Sequence, residues 1–147
     1  MTNASEPASI SEDECLYRRV PKSLDWYQPG QSPPVTLLAF NPTKEDTTGL
    51  SMWRANSAEH PDFMTAAQVA QGRSSKGYVV AVLSVKTLRE NGIRIVPRTE
   101  GFGPGHVELP DLTYENRRSD ASMVMKRALS LAVIRVDDPH GSDQGVL

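Results

Sequence analysis

The chain has a single cysteine, Cys15, among its 147 residues. One thiol closes no internal disulfide and cannot by itself build a thiolate metal centre. Cys15 also opens an apolar stretch, CLYRRV, and so reads as a small packed residue rather than as a nucleophile. No apolar run nears the roughly 20 residues that a membrane span requires. The opening segment MTNASEPASISEDE has neither the basic start nor the apolar centre of a secretory signal. The expectation is therefore a cytoplasmic chain with no membrane partner. Aromatic residues make up only 6% of the chain. They are not interleaved with the bases in the dense stripe of a nucleic-acid module, which argues against a nucleic-acid partner. His60, His106 and His140 lack metal-ligand spacing, so no metal site is expected. The stretch GFGPG has no lysine and no convincing helix after it, which excludes a phosphate-binding P-loop. Ser51, in Gly49-Leu50-Ser51, lacks the second glycine of a nucleophile elbow.

Arginine, in contrast, is plentiful. Eleven of the 16 basic residues are Arg. The guanidinium makes fixed, two-pronged contacts with carboxylate and phosphate, where lysine acts as a mobile point charge. The net charge of −2 is unevenly spread. Residues 1–14 carry four acids, residues 137–147 carry three, and neither segment has a Lys or Arg. Residues 15–136 therefore hold a surplus of +5, which fits an anionic ligand or an acidic partner surface.

The length suits one domain. Residues 1–14 read as a disordered acidic tail, 15–136 as a single α+β domain and 137–147 as a mobile tail. Within the domain, alternation and turn residues predict strands at Leu16–Val20, Val35–Phe40, Leu50–Ala55, Tyr78–Val85, Ile93–Val96 and Val107–Leu109. Helices are predicted from Pro61, through Phe63, Met64, Ala66, Ala67 and Ala70 to a stop at Gly72, and from Ser119, along Ala121, Val124, Met125, Ala128, Leu129 and Ala132. The expected fold is a mixed or antiparallel sheet of five to six strands with two main helices.

The stretch least explained as scaffold is Gly103-Pro104-Gly105-His106-Val107-Glu108. Glycines before a histidine allow a close backbone approach, and an imidazole near neutral pH can serve as acid, base or hydrogen-bond donor. Glu108, two residues on, shares a strand face with His106. Arg18 and Arg19 are adjacent on the first strand and so point to opposite sides of the sheet. One of them must be buried and paired or sit at a cleft. Trp26 and Tyr27 lie in a turn-rich loop and either fold back on the core or form a contact site.

The ordered set LYRRV, GLSMW, GYVVAVLSVKTLRENGIRIVP and PGHVELP, over about residues 15–112, resembles a small bacterial family to which no activity is assigned. The chain is also similar, more faintly, to the ADP-ribosyltransferase fold, including its RNA 2′-phosphotransferase-like members. That resemblance implies an Arg18 or Arg19 that contacts NAD, Ser51 at the start of a later strand, and Glu108 as the glutamate. The chain departs from the pattern in having no E-x-E or Q-x-E and in carrying Trp53 where a second serine would stand.

Two functions are compatible with these residues. The first is a binding or interaction module with a protein partner and no cofactor, accessory to a bacterial defence or toxin–antitoxin operon. The alternative is an NAD- or nucleotide-using ADP-ribosyltransferase-like enzyme. Either way Arg18, Arg19, Ser51, His106 and Glu108 are the candidate ligand-binding residues, toward a nucleotide-like or other anionic small molecule.

Overall fold

The computed structural model describes residues 10–71 and 77–139. The described chain forms one six-stranded, fully antiparallel sheet. Its strands are β1 (Cys15–Pro21), β2 (Leu50–Arg54), β3 (Tyr78–Ser84), β4 (Val96–Pro97), β5 (His106–Leu109) and β6 (Val133–Asp137), in the spatial order β4-β5-β2-β1-β3-β6. Three helices accompany them: α1 (Ala66–Val69), α2 (Val85–Glu90) and α3 (Asp120–Ala132), with a 3-10 turn at Leu37–Phe40. The fold is α+β, as the alternation of short strands predicts.

β3 is buried without interruption from Val79 to Leu83, because it lies between β1 and β6 and both of its faces are covered. The larger core takes one face. Leu16, Val20, Leu50, Met52, Ala81, Leu83, Val107 and Leu109 meet Phe40 of the 3-10 turn, Leu88 of α2 and Leu129 of α3. The smaller core on the other face joins Tyr17, Val80 and Val82 to Val69 and Ala70.

α3 starts where its sequence says it should. The Ser119 hydroxyl accepts from the Ser122 N–H at 3.1 Å, and Asp120 complements the positive helix end. Its orientation differs from the predicted stripe. Ser122, Lys126, Leu129, Ser130 and Ala132 face inward, while Val124 is 69% exposed. The polar groups turn inward because each has a partner. Lys126 Nζ donates to Asn41 Oδ1 and to the Arg117 carbonyl, both at 2.9 Å, and Ser130 Oγ donates to the Val35 carbonyl.

Two predicted elements are corrected. Val35–Phe40 is not a central strand. Val35 forms an isolated bridge with Tyr27, and the rest winds into the 3-10 turn under the sheet. A continuous apolar run is equally satisfied by a buried turn. The helix expected from Pro61 shrinks to the four residues of α1, capped by a reciprocal Thr65–Gln68 pair. Asn56 Nδ2 donates to the Pro61 and Phe63 carbonyls, both at 3.0 Å, and holds that stretch as a turn. The stop expected at Gly72 lies outside the described residues.

The tails are also shorter than expected where they are described. Ile10 is buried in the larger core, and Glu14 forms a two-pronged ion pair with Arg54, both bonds at 2.6 Å. An apolar anchor and a matched charge fix residues 10–14, whereas residues 1–9 lie outside the described residues. At the other end, Asp137 closes β6, and Asp138 pairs with Lys22 at 2.9 Å. Residues 140–147 lie outside the described residues. Among those described, no helix is long and apolar enough to cross a membrane.

Candidate functional site

The site begins with an interrupted ladder. β1 pairs with β3 along its whole length, but with β2 only at Leu16↔Arg54 and Tyr17↔Trp53. Beyond Tyr17 the two strands part. The Ser51 carbonyl on the gap side would lose its hydrogen bond there. Arg18 replaces it: Nη1 donates to the Ser51 carbonyl at 2.8 Å, and Nε donates to the Ala39 carbonyl at 3.0 Å.

A pocket of about 400 Å³ opens at this gap. Arg18, Arg19 and Ser51 line it together with Thr43, Asp46 and the aromatic residues Trp26, Trp53 and Tyr78. Its size falls within the usual range of small-ligand sites. Arg18 and Arg19 leave β1 on opposite sides, yet both reach the pocket because the parting of the strands joins the two faces there. Arg19 is exposed, donates to the Gln71 carbonyl at 2.7 Å and lies 4.6 Å above the Tyr78 ring.

Arg18 keeps partial exposure by surface area, but its guanidinium lies deep among protein atoms. Burial pulls its pKa well below the ordinary guanidinium value, to about 10; nearby Asp46 opposes the shift and Arg19 adds to it. Among the described residues its hydrogen-bond acceptors are two neutral carbonyls and no carboxylate. Asp46 lines the same pocket, but its Oδ2 accepts from the Thr43 N–H at 2.7 Å and from the Thr43 hydroxyl at 3.3 Å. Arg18 therefore stays positive at neutral pH without a bonded counter-charge.

The β2–β5 ladder sets the second part of the site. Ser51 pairs with Glu108 and Trp53 with His106, which places all four side chains on one face. Ser51 Oγ and His106 Nε2 are 2.8 Å apart, and His106 Nδ1 is 2.7 Å from the Arg98 carbonyl. A carbonyl only accepts, so Nδ1 carries the proton in the neutral ring. Nε2 then accepts from the Ser51 hydroxyl. The ring is 1% exposed, edge-on to Trp53 at 4.6 Å and stacked on Phe102 at 4.1 Å. Burial lowers its pKa, against the partial opposition of the Arg98 carbonyl and the Glu108 charge.

Glycine supplies the approach to His106. Gly105 has a φ of +86°, and a Cβ there would stand 3.1 Å from Phe63 ring carbons. Its carbonyl accepts from the Arg54 N–H at 2.8 Å, which sets the start of β5 against the end of β2.

Of the residues expected from sequence, Arg18, Arg19 and Ser51 line one pocket, and His106 joins them through Ser51. Glu108 lies behind them: it is buried and accepts from the Thr48 hydroxyl at 2.7 Å and from Arg98 Nε at 3.1 Å. Sequence reasoning missed the parts played by Trp53, Asp46, Thr43 and Tyr78. Trp53 had a signal, since alternation puts it on the Ser51 face of β2. Among the described residues, no group of His, Cys, Asp and Glu is placed to hold a metal ion.

No protein-family model matches this chain, and neither a curated protein nor a solved structure matches it.

Proposed function

We propose that this protein binds a small anionic ligand of nucleotide type in the pocket between β1 and β2. One observation carries the reading: the Arg18 guanidinium lines the pocket with no carboxylate bonded to it among the described residues. A buried cation held only by neutral dipoles is costly, and an incoming phosphate or carboxylate offsets that cost. Arg19 adds a second cation at the same pocket, and Trp26, Trp53 and Tyr78 offer apolar surface to a flat group. Isothermal titration with ADP, NAD and inorganic pyrophosphate tests it. Saturable binding to the wild type and at least tenfold weaker binding to Arg18→Met are expected. No heat from any of the three anions would contradict the reading.

A second reading, NAD-dependent transfer of the ADP-ribosyltransferase kind, is favoured by one contact. The Arg18–Ser51 hydrogen bond joins the two residues that the resemblance pairs. The position of Glu108 counts against it, because Thr48 and Arg98 already occupy that carboxylate. Release of nicotinamide from NAD, abolished in Arg18→Met and Glu108→Gln, is the expected result under this reading. Intact NAD after prolonged incubation would remove it.

A further inference from the structure

We propose that Ser51 is an activated nucleophile, with His106 as its proton acceptor, and that the pocket hydrolyses acyl esters that carry a negative group. The inference rests on the anion-binding reading of the same pocket and adds a reaction to it.

The geometry meets the requirements of a serine–histidine pair one by one. Ser51 is half-buried and lines the pocket. Its oxygen is 2.8 Å from Nε2, within proton-transfer reach. The Arg98 carbonyl at Nδ1 holds the ring in the tautomer that leaves Nε2 free to accept. In this role it occupies the position that an aspartate fills in the Ser-His-Asp arrangement. Trp53 and Phe102 clamp the imidazole from two sides. The charged groups that act on the ring are Glu108 on β5, Arg98 after β4 and Asp46 before β2. The two carboxylates favour the imidazolium that forms during reaction, and Arg98 opposes it. Arg18 Nη1 is tied to the Ser51 carbonyl, whereas Nη2 has no hydrogen-bond partner among the described residues. Nη2 is the donor available to negative charge that develops beside Ser51.

The steps balance without any group other than water. Ser51 Oγ bonds to the acyl carbon as its proton moves to His106 Nε2. The ester C–O bond breaks, and the departing alkoxide takes that proton. Water then attacks the acyl carbon while Nε2 accepts its proton. The Oγ–acyl bond breaks, and the proton returns to Oγ with release of the carboxylic acid.

The test is labelling of the full chain with a fluorophosphonate, read by intact mass and peptide mapping. In that reaction Oγ–P forms, P–F breaks, and the hydroxyl proton leaves through His106 to solvent. The expected result is one adduct, mapped to Ser51, absent in Ser51→Ala and formed at least a hundredfold more slowly in His106→Gln, in line with general-base contributions of about 10²–10⁴. The wild-type rate against pH provides a measure that needs no variant. It should be flat at pH 7–8 and fall only below the ordinary histidine range. No adduct at Ser51, or a rate that keeps rising through pH 9 as for an unassisted hydroxyl, would overturn the proposal. Thermal unfolding of the same wild-type sample with pyrophosphate separates the two readings. A pyrophosphate shift without labelling overturns the nucleophile alone. Labelling without a shift overturns anion binding, and with it the negative group assigned to the ester, while the nucleophile stands.

Discussion

Replacement of Arg18 by methionine separates what this residue does for the fold from what it does for a ligand. A pKa lowered from the ordinary guanidinium value to about 10 corresponds to roughly 3 kcal/mol against the charged form, at about 1.4 kcal/mol per pH unit. That figure is an upper bound, because Arg18 is partly exposed and solvent reaching it weakens the effect. Methionine removes this cost and keeps most of the side-chain volume. It also strips the Ala39 and Ser51 carbonyls of their donors, at about 1–3 kcal/mol for each group left buried and unsatisfied. The two carbonyls together cost about 2–6 kcal/mol against at most about 3 kcal/mol regained. Arg18→Met should therefore lie between near wild-type stability and a few kcal/mol below it, with a Tm unchanged or lower by several degrees. Anion binding behaves differently. Pyrophosphate at a hundred times its wild-type Kd should stabilise the wild type by about 2.7 kcal/mol and Arg18→Met, which binds at least tenfold more weakly, by about 1.4 kcal/mol or less. The assay is thermal unfolding of both proteins, with and without pyrophosphate, at fixed ionic strength. Equal pyrophosphate shifts in the two proteins would refute the reasoning, because the anion would then be bound elsewhere.

Further outcomes follow from other contacts. Glu14→Gln should lose about 3 kcal/mol, since it removes the negative charge from a two-pronged ion pair whose arginine, Arg54, is only 6% exposed; urea unfolding at neutral pH measures it. Burial alone would raise the Glu14 carboxyl, but the Arg54 fork and the Ser11 N–H outweigh it and hold the pKa below 4.5. The stabilisation is therefore complete above the ordinary carboxylate range and lost as pH falls through the lowered folded value. His106 also makes acid destabilising. Its folded pKa lies below 6.5, so the unfolded chain binds the proton first, and stability falls as pH drops below about 6.5; His106→Gln should flatten that part of a stability–pH profile. Gly105→Ala should cost roughly 1–3 kcal/mol, because it forces a positive φ on alanine and presses a methyl against Phe63; a Tm equal to wild type would contradict this. Leu129→Ala should cost about 2–5 kcal/mol by opening a cavity beneath α3, as read by chemical unfolding.

Where a segment's own chemistry decides its structure, the sequence was a good guide. β3 announces itself by an uninterrupted apolar run, and Ser119 followed by Asp120 marks the start of α3. Tertiary context decided the rest. VTLLAF looks like a strand, but it is buried under the sheet rather than paired within it. The apolar residues after Pro61 suggest a helix, but the Asn56 side chain captures the carbonyls that would have propagated it. Lys126 looks like a surface residue on the helical pattern, and only the positions of Asn41 and the Arg117 carbonyl show why it is buried. The candidate site was legible as a set of residues and illegible as an arrangement. Adjacent arginines on a strand imply that one must be buried or paired. That Arg18 would fill a gap in the β1–β2 ladder depends on where two strands part, and no local signal encodes that. The Ser51–His106 bond likewise depends on the register of β2 against β5, 55 residues apart in sequence.

The central claim is that the Arg18 guanidinium is the anchor for an anionic ligand. Side-chain ¹⁵N–¹H NMR of the arginine Nε groups during a pyrophosphate titration tests it most directly, with the Arg18 signal assigned by its loss in Arg18→Met. The account predicts a saturable shift of the Arg18 signal that persists at moderate salt, with a smaller response from Arg19. An unmoved Arg18 signal, with shifts confined to exposed arginines such as Arg94 and abolished by salt, would contradict it.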